Sequence, residues 1–161
     1  MNVTLRDAAA GDLDEVLALN EANVPAVGQV SIEKMHWFRD HAHYFRVAVT
    51  GDYIAAFLIG LRPGTSYESS NYRWFCDNYE DFAYVDRIAV SERARRSGLA
   101  SRLYDDFAAA MAEAVVMTCE VNILPPNPSS MRFHERLGFR RVGTIEYEPG
   151  AKEVALLELR L

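Results

Sequence analysis

Hydrophobic positions along this chain switch between two periods, and the switches predict its elements. Asn2 to Arg6 alternates as a short strand. The stretch Met1 to Ala10 thus reads as a strand carrying Arg6 and Asp7, not as a leader peptide. Leu13, Val16 and Leu17 then recur at helical spacing behind Gly11 and Asp12, which predicts a helix over Asp12 to Asn20. Pro25 and Gly28 interrupt it, and Ser31 opens a second helix through about Asp40. Tyr44 to Val49 and Tyr53 to Gly60, joined at Gly51-Asp52, predict a hairpin. Leu61 to Asp81 is polar and aromatic and too long for a hairpin loop; such lengths are usually functional or carry small elements.

Phe82 to Val90 reads as a buried strand. Leu99, Leu103, Phe107 and Met111 recur four apart, one face of a helix ending near Ala114. Val115 to Val121 is another strand. Pro125-Pro126-Asn127-Pro128 stops the chain and restarts it as a helix, with Asn127 as N-cap and Pro128 in the first turn, where its missing N–H costs nothing. Gly138 suits a left-handed C-cap after Leu137. Phe139 to Tyr147 and Glu153 to Leu161 close the chain around Pro149-Gly150. The order βααββ, insertion, βαβαββ predicts one α/β domain over residues 1–161, a mixed central sheet flanked by about four helices.

Composition narrows the function classes. With 161 residues, 50% hydrophobic and 25% charged, the chain can bury a proper core and does not have the composition of disorder. No apolar run nears the roughly 20 residues that span a bilayer, so no membrane role is expected. Two cysteines, Cys76 and Cys119, cannot build a disulfide framework or a cysteine zinc cluster, and they suit a reducing cytoplasm. The spacing of His36 and His43 gives no metal site with the carboxylates. A net charge of −6 argues against nucleic acid as a partner.

The cations are oddly distributed. Lys34 and Lys152 are the only lysines, and Arg93, Arg95, Arg96 and Arg102 crowd one short stretch. A guanidinium fork suits phosphate oxygens better than a lysine point charge does. The stretch follows the strand Tyr84-Val85-Asp86-Arg87-Ile88-Ala89-Val90 and leads through Ser97-Gly98-Leu99-Ala100-Ser101 into a helix. Unpaired N–H groups at a helix N-terminus make an anion site. Small residues at Gly98 and Ala100 let a phosphate approach the backbone. A solvated charge run before an ordinary helix is the plain alternative. The loop is neither a Walker loop nor G-x-G-x-x-G.

Arg95-Arg96-Ser97-Gly98-Leu99-Ala100 fits the Q/R-x-x-G-x-G/A signature and so resembles the GNAT acetyltransferases. Asp86 to Val90 looks like that family's fourth strand. Asn127 to Phe139, with Ser130, Phe133, His134 and Leu137-Gly138-Phe139, resembles its second signature helix. The resemblance covers nearly the whole chain and implies acetyl-CoA as co-substrate, with no metal. It implies that backbone at Ile88, Ala89 and Val90 pairs with the pantetheine arm, in a strand splayed from the next. The N–H groups from Arg96 through Ser97, Gly98, Leu99 and Ala100 to Ser101 would hold the pyrophosphate, with Arg95 and Arg96 at the rim. Asn127 would lie near the end of the arm, and an N–H at Ile88 or Ala89 would polarise the thioester carbonyl.

The catalytic residues follow less directly. His134 stands where members with a catalytic tyrosine carry it, and an imidazolium can protonate a departing thiolate. A core histidine satisfied by a backbone carbonyl is the plain alternative. The amine needs a base, and Asp86 or Glu120 would serve, directly or through water; either is equally expected to pair with an arginine, Arg87 being at hand. Aromatics and carboxylates between 61 and 82 suit a cationic amine, or else a flap packed on the sheet or a dimer contact. The leading reading is transfer of acetyl to an amine, small or peptidic, by direct attack in a ternary complex. The alternative is an acyl-CoA-binding sensor with weak or lost chemistry. Exposed strand edges permit a homodimer.

Overall fold

The computed structural model describes residues 2–161; Met1, the start of the N-terminal segment read as a strand, lies outside the described residues. In chain order the elements are β1 (Val3–Asp7), α1 (Leu13–Glu21), α2 (Ile32–His41), β2 (Tyr44–Thr50) and β3 (Tyr53–Leu61). They continue with α3 (Ser70–Asn78), β4 (Ala83–Val90), α4 (Leu99–Ala110) and β5 (Val116–Leu124), then α5 (Pro128–Leu137), β6 (Arg140–Glu148) and β7 (Lys152–Arg160). The fold is α/β, with strands in the order β1-β2-β3-β4-β5-β7-β6. The sheet is mixed: β4 runs parallel to β5, and β1–β2, β2–β3, β5–β7 and β6–β7 are antiparallel. Among the described residues no helix is long and apolar enough to cross a membrane. The chain forms two compact units, and β4 belongs to both, passing from one to the other after Val85.

Among the described residues the first unit comprises residues 2–61 and Asp86–Met111. Strand β3 is buried from Ile54 to Leu61, the continuous apolar run of a strand covered on both faces. Leu13 and Val16 of α1, Met35 and Phe38 of α2, and Leu103 and Phe107 of α4 are all buried with it. Gly60 is required here, since a Cβ would stand 2.4 Å from ring carbons of Phe107. Ser31 caps α2, its hydroxyl accepting the Lys34 N–H at 3.0 Å. Helix α4 ends a turn earlier than its sequence pattern predicts: Met111 leaves helical geometry (φ −104, ψ 42) as the chain turns toward β5.

The second unit comprises Arg62–Val85 and Ala112–Leu161. The long segment after β3 is not a plain loop. It contains α3, capped by the Ser69 hydroxyl, and so adds a helix to the four the sequence shows. Arg62 closes the segment on Asp81 through Nη2–Oδ bonds of 2.6 and 2.8 Å. Tyr72, Phe75, Phe82 and Tyr84 are buried against one another, with Phe75–Tyr84 and Tyr72–Tyr84 ring centroids 5.7 and 5.6 Å apart. Trp74 fills the space above Gly143 of β6, where a Cβ would come within 2.8 Å of the indole. The Tyr79 hydroxyl donates to buried Glu158 of β7 at 2.6 Å. Burial pushes the Glu158 carboxyl up, but Tyr79, Arg160 and Arg140 outweigh it and hold it below the usual range. Burial beside that carboxylate pushes the Tyr79 phenol up to about 12. The insertion is thus a flap packed on the β7–β6 side of the sheet.

Candidate functional site

The residues singled out in the sequence fall into two groups, one in each unit. In the first unit, β4 leads through a turn of 3-10 helix (Glu92–Ala94) to the arginine loop and α4. Two successive departures from ordinary backbone make this loop: Arg96 has φ 63 and Gly98 has φ 80. The left-handed region costs a residue with a Cβ about 1 kcal/mol or more, which glycine avoids. The Ser97 hydroxyl donates to the Ala94 carbonyl and so braces the turn. Gly98 takes the N-cap position of α4 without a capping side chain, unlike Ser31, Ser69 and Asn127 at α2, α3 and α5. The first-turn N–H groups of α4 are therefore left for an outside acceptor. A Cβ built at Gly98 meets nothing within 4 Å, so the loop is open on that side of Gly98. Backbone donors at a helix N-terminus have the polarity that suits an anion.

The four arginines do not act as one patch. Arg93 stacks on the Tyr53 ring, its guanidinium carbon 3.4 Å from the centroid. Arg95 donates to Asn23 Oδ1 at 3.1 Å, and Arg102 lines an open groove with Val3, Thr4, Leu5, Asp105 and Asp106. Arg96 is exposed and stands at the loop itself. Within β4, Ile88, Ala89 and Val90 lie beyond the short parallel ladder, which consists of Ala83↔Met117 and Tyr84↔Thr118. Asp86 is nearly buried, at 2% exposure, and its Oδ2 accepts from Arg87 Nε at 2.8 Å. Its expected pairing with Arg87 is thus present. The same guanidinium donates through Nη1 to Asn20 Oδ1 and to the Gly28 carbonyl, both at 3.1 Å.

The second unit holds Glu120, Asn127 and His134. Glu120 of β5 accepts the Tyr84 hydroxyl with both oxygens, at 2.8 and 3.0 Å. Asn127 caps α5, its Oδ1 accepting the Ser130 N–H at 3.2 Å, and its own N–H donates to the Asn122 carbonyl at 3.1 Å. At the other end Gly138 (φ 103) closes the helix, with the Phe139 N–H bonded to the His134 carbonyl. These caps fix the helix between them, and the His134 ring packs edge-on against Phe133 and Phe139. Its Nδ1 lies 2.7 Å from the Ser130 carbonyl, to which only a protonated nitrogen can donate. The neutral ring therefore carries its proton on Nδ1. Burial pushes the imidazole below its ordinary value, against a smaller upward pull from the Ser130 carbonyl. The backbone-satisfied core histidine considered from the sequence is the arrangement found.

Sequence reasoning did not find the partners of these side chains. Tyr84, Asn20, Asn23 and Gly28 lie 36 to 72 residues from the side chains they hold, and no local pattern marks such pairs. Asn20 carried the one available signal, a polar residue on the apolar face of α1. Among the described residues no cluster of three or more His, Cys, Asp and Glu side chains is arranged to hold a metal ion.

Comparison with known proteins adds the family. No curated protein sequence matches the chain. Among solved structures it resembles Ard1 from Thermoplasma volcanium, with a TM-score of 0.81 at 18% identity, over 100% of this chain and 99% of that one. It also resembles the ribosomal-protein-S18-alanine N-acetyltransferase from Escherichia coli, with a TM-score of 0.74 at 15% identity over 99% and 94%. A third is Naa50 from Arabidopsis thaliana in complex with the bisubstrate analogue CoA-Ac-MVNAL, with a TM-score of 0.77 at 13% identity over 100% of both chains. At such identities the likeness is one of fold. The model of the acetyltransferase (GNAT) family matches residues 13–139, which hold the arginine loop, both carboxylates and the α5 histidine. The chain belongs to the GNAT acetyltransferase family.

Proposed function

We propose that this protein is an N-acetyltransferase that moves the acetyl group of acetyl-CoA to an amine by direct attack in a ternary complex. The observation that carries the reading is the N-terminus of α4, without a capping side chain, behind a left-handed Gly98 that is open on its Cβ side. The backbone N–H groups from Arg96 to Ser101 would hold the pyrophosphate, with Arg96 adding charge at the rim. Ile88 to Val90, beyond the two-pair ladder, would lend backbone groups to the pantetheine arm. Bound acetyl-CoA supplies an activated acyl group as a thioester. An N–H near Ile88 or Ala89 would polarise its carbonyl, a role of several kcal/mol when preorganised. Asn127, at the start of α5, would bound the end of the arm.

Asp86 or Glu120 would take the proton of the attacking amine, directly or through water. Each is held in place, Asp86 by Arg87 and Glu120 by the Tyr84 hydroxyl. His134 is the candidate acid for the departing thiolate. Burial disfavours its cation and holds the imidazole below its ordinary value, against a smaller upward pull from the Ser130 carbonyl. That observation favours a second reading, an acyl-CoA-binding sensor with weak chemistry. The acceptor is an amine, small or peptidic, as the peptide-like analogue bound to the Arabidopsis Naa50 also suggests by fold analogy. A cytoplasmic setting accords with two cysteines that form no disulfide among the described residues.

Thiol release from acetyl-CoA, followed across a panel of amines and short peptides, tests the reading. We expect at least one amine to release thiol in the wild type, and Asp86→Asn or Glu120→Gln to slow it by about a hundredfold, identifying the base. Tight CoA binding without release from any amine would establish the sensor instead.

A further inference from the structure

Arg87 joins separate parts of the first unit. Its side chain is 10% exposed, and it touches three separate stretches of chain. Nε holds Asp86 at 2.8 Å. Nη1 holds Asn20 Oδ1, at the end of α1, and the carbonyl of Gly28, between α1 and α2, each at 3.1 Å. The guanidinium also lies over the Phe38 ring of α2, 5.4 Å from its centroid. Asn20 is fully buried, and its Nδ2 donates to the same Gly28 carbonyl at 3.0 Å. Asp86 and the Gly28 carbonyl are thus joined through one planar group. A lysine has a single ammonium and lacks the flat fork that spans these acceptors.

We infer that Arg87 is a positioning residue that couples the Asp86 carboxylate to the connection between α1 and α2. Asp86 holds the guanidinium edge in place, and the held guanidinium fixes Asn20 and Gly28. The ordering runs both ways. Neutralising Asp86 loosens a connection it does not touch, and loosening the connection frees the group that orients Asp86. Asp86 lies two residues before Ile88, so its placement is set beside the backbone assigned above to the pantetheine arm. That functional meaning rests on the acetyl-transfer reading; the coupling itself does not.

Amide hydrogen exchange of the whole chain tests the coupling without any substrate. The reporters are the N–H groups of Asn23, Val24 and Val27, which bond to the Asn20, Glu21 and Asn23 carbonyls within the connection. The expected result is that Arg87→Lys and Asp86→Asn each speed exchange at these three amides by about tenfold, the scale of losing one hydrogen bond to a charged group. Amides of the β2–β3 ladder should keep their protection, and the double variant should add little to either single one. Unchanged protection in Asp86→Asn would overturn the coupling. An equal rise in β2 and β3 would also overturn it, by making Arg87 a prop of general stability. A second readout is the kinetic split in thiol release: Arg87→Lys should lower kcat with CoA affinity retained, and an unchanged kcat would contradict the positioning role. Absence of thiol release in the wild type would sink the acetyl-transfer reading and leave the exchange result standing.

Discussion

His134 sits in surroundings that its position in the sequence does not reveal. Its place in the second signature suggests an acid, yet its environment stabilises the neutral ring. Nδ1 is engaged by the Ser130 carbonyl and the ring lies between two phenylalanines. The consequence for stability has a definite sign. Below about pH 6.5 the unfolded chain binds a proton on this imidazole, whereas the folded ring resists it. Stability is therefore full above that pH and falls as pH drops toward the lower folded value, by at most about 1.4 kcal/mol per pH unit. Urea midpoints at pH 7.5 and 5.5 measure it: the wild type should lose stability on acidification, and His134→Phe should lose less. Equal losses in the two proteins would show that this ring is not the group responsible.

At the scale of elements, packing between β3 and α4 makes a sharper demand than any propensity. Gly60 lies buried in β3 because the Phe107 ring occupies the place of its Cβ. Gly60→Ala forces the ring or the helix to move, and overpacking of this kind costs about 1–3 kcal/mol. Chemical denaturation should show that loss, and Phe107→Leu in the Gly60→Ala background should recover part of it; a neutral Gly60→Ala would contradict the packing described. Local signals explain which elements were legible. Asn127, Pro128 and Gly138 mark both ends of α5 on the sequence itself, and the structure uses all three. Helix α3 was hidden because Tyr72, Phe75 and Tyr79 fit a strand or a loop as readily as a helix. Tyr72 and Phe75 are buried in the helix against Phe82 and Tyr84, which only the folded sheet supplies, while Tyr79 follows the helix in extended backbone. The arginine loop was readable for the same reason as α5, since its charge, its glycine and the helix after it are contiguous. Its division of labour was not, because Tyr53 and Asn23 lie far from Arg93 and Arg95 in sequence.

At the scale of the whole molecule, an acidic chain of net charge −6 gathers Arg93, Arg95, Arg96 and Arg102 into one short stretch. Two of these arginines are engaged by Tyr53 and Asn23, and so in the function proposed above the backbone, more than the cluster of charge, would provide the anion site. Backbone donors are rigid and lose little entropy on binding, which suits a cofactor shared by many reactions. They are also sensitive to anything placed before them. The most direct test is calorimetric titration of coenzyme A into the wild type and into Gly98→Trp, with folding checked by circular dichroism. One equivalent should bind the wild type, and the indole should reduce affinity at least tenfold by filling the open side of Gly98 and straining a left-handed backbone position (φ 80). Equal affinity in a folded Gly98→Trp, or no binding to the wild type, would contradict the site proposed for acetyl-CoA.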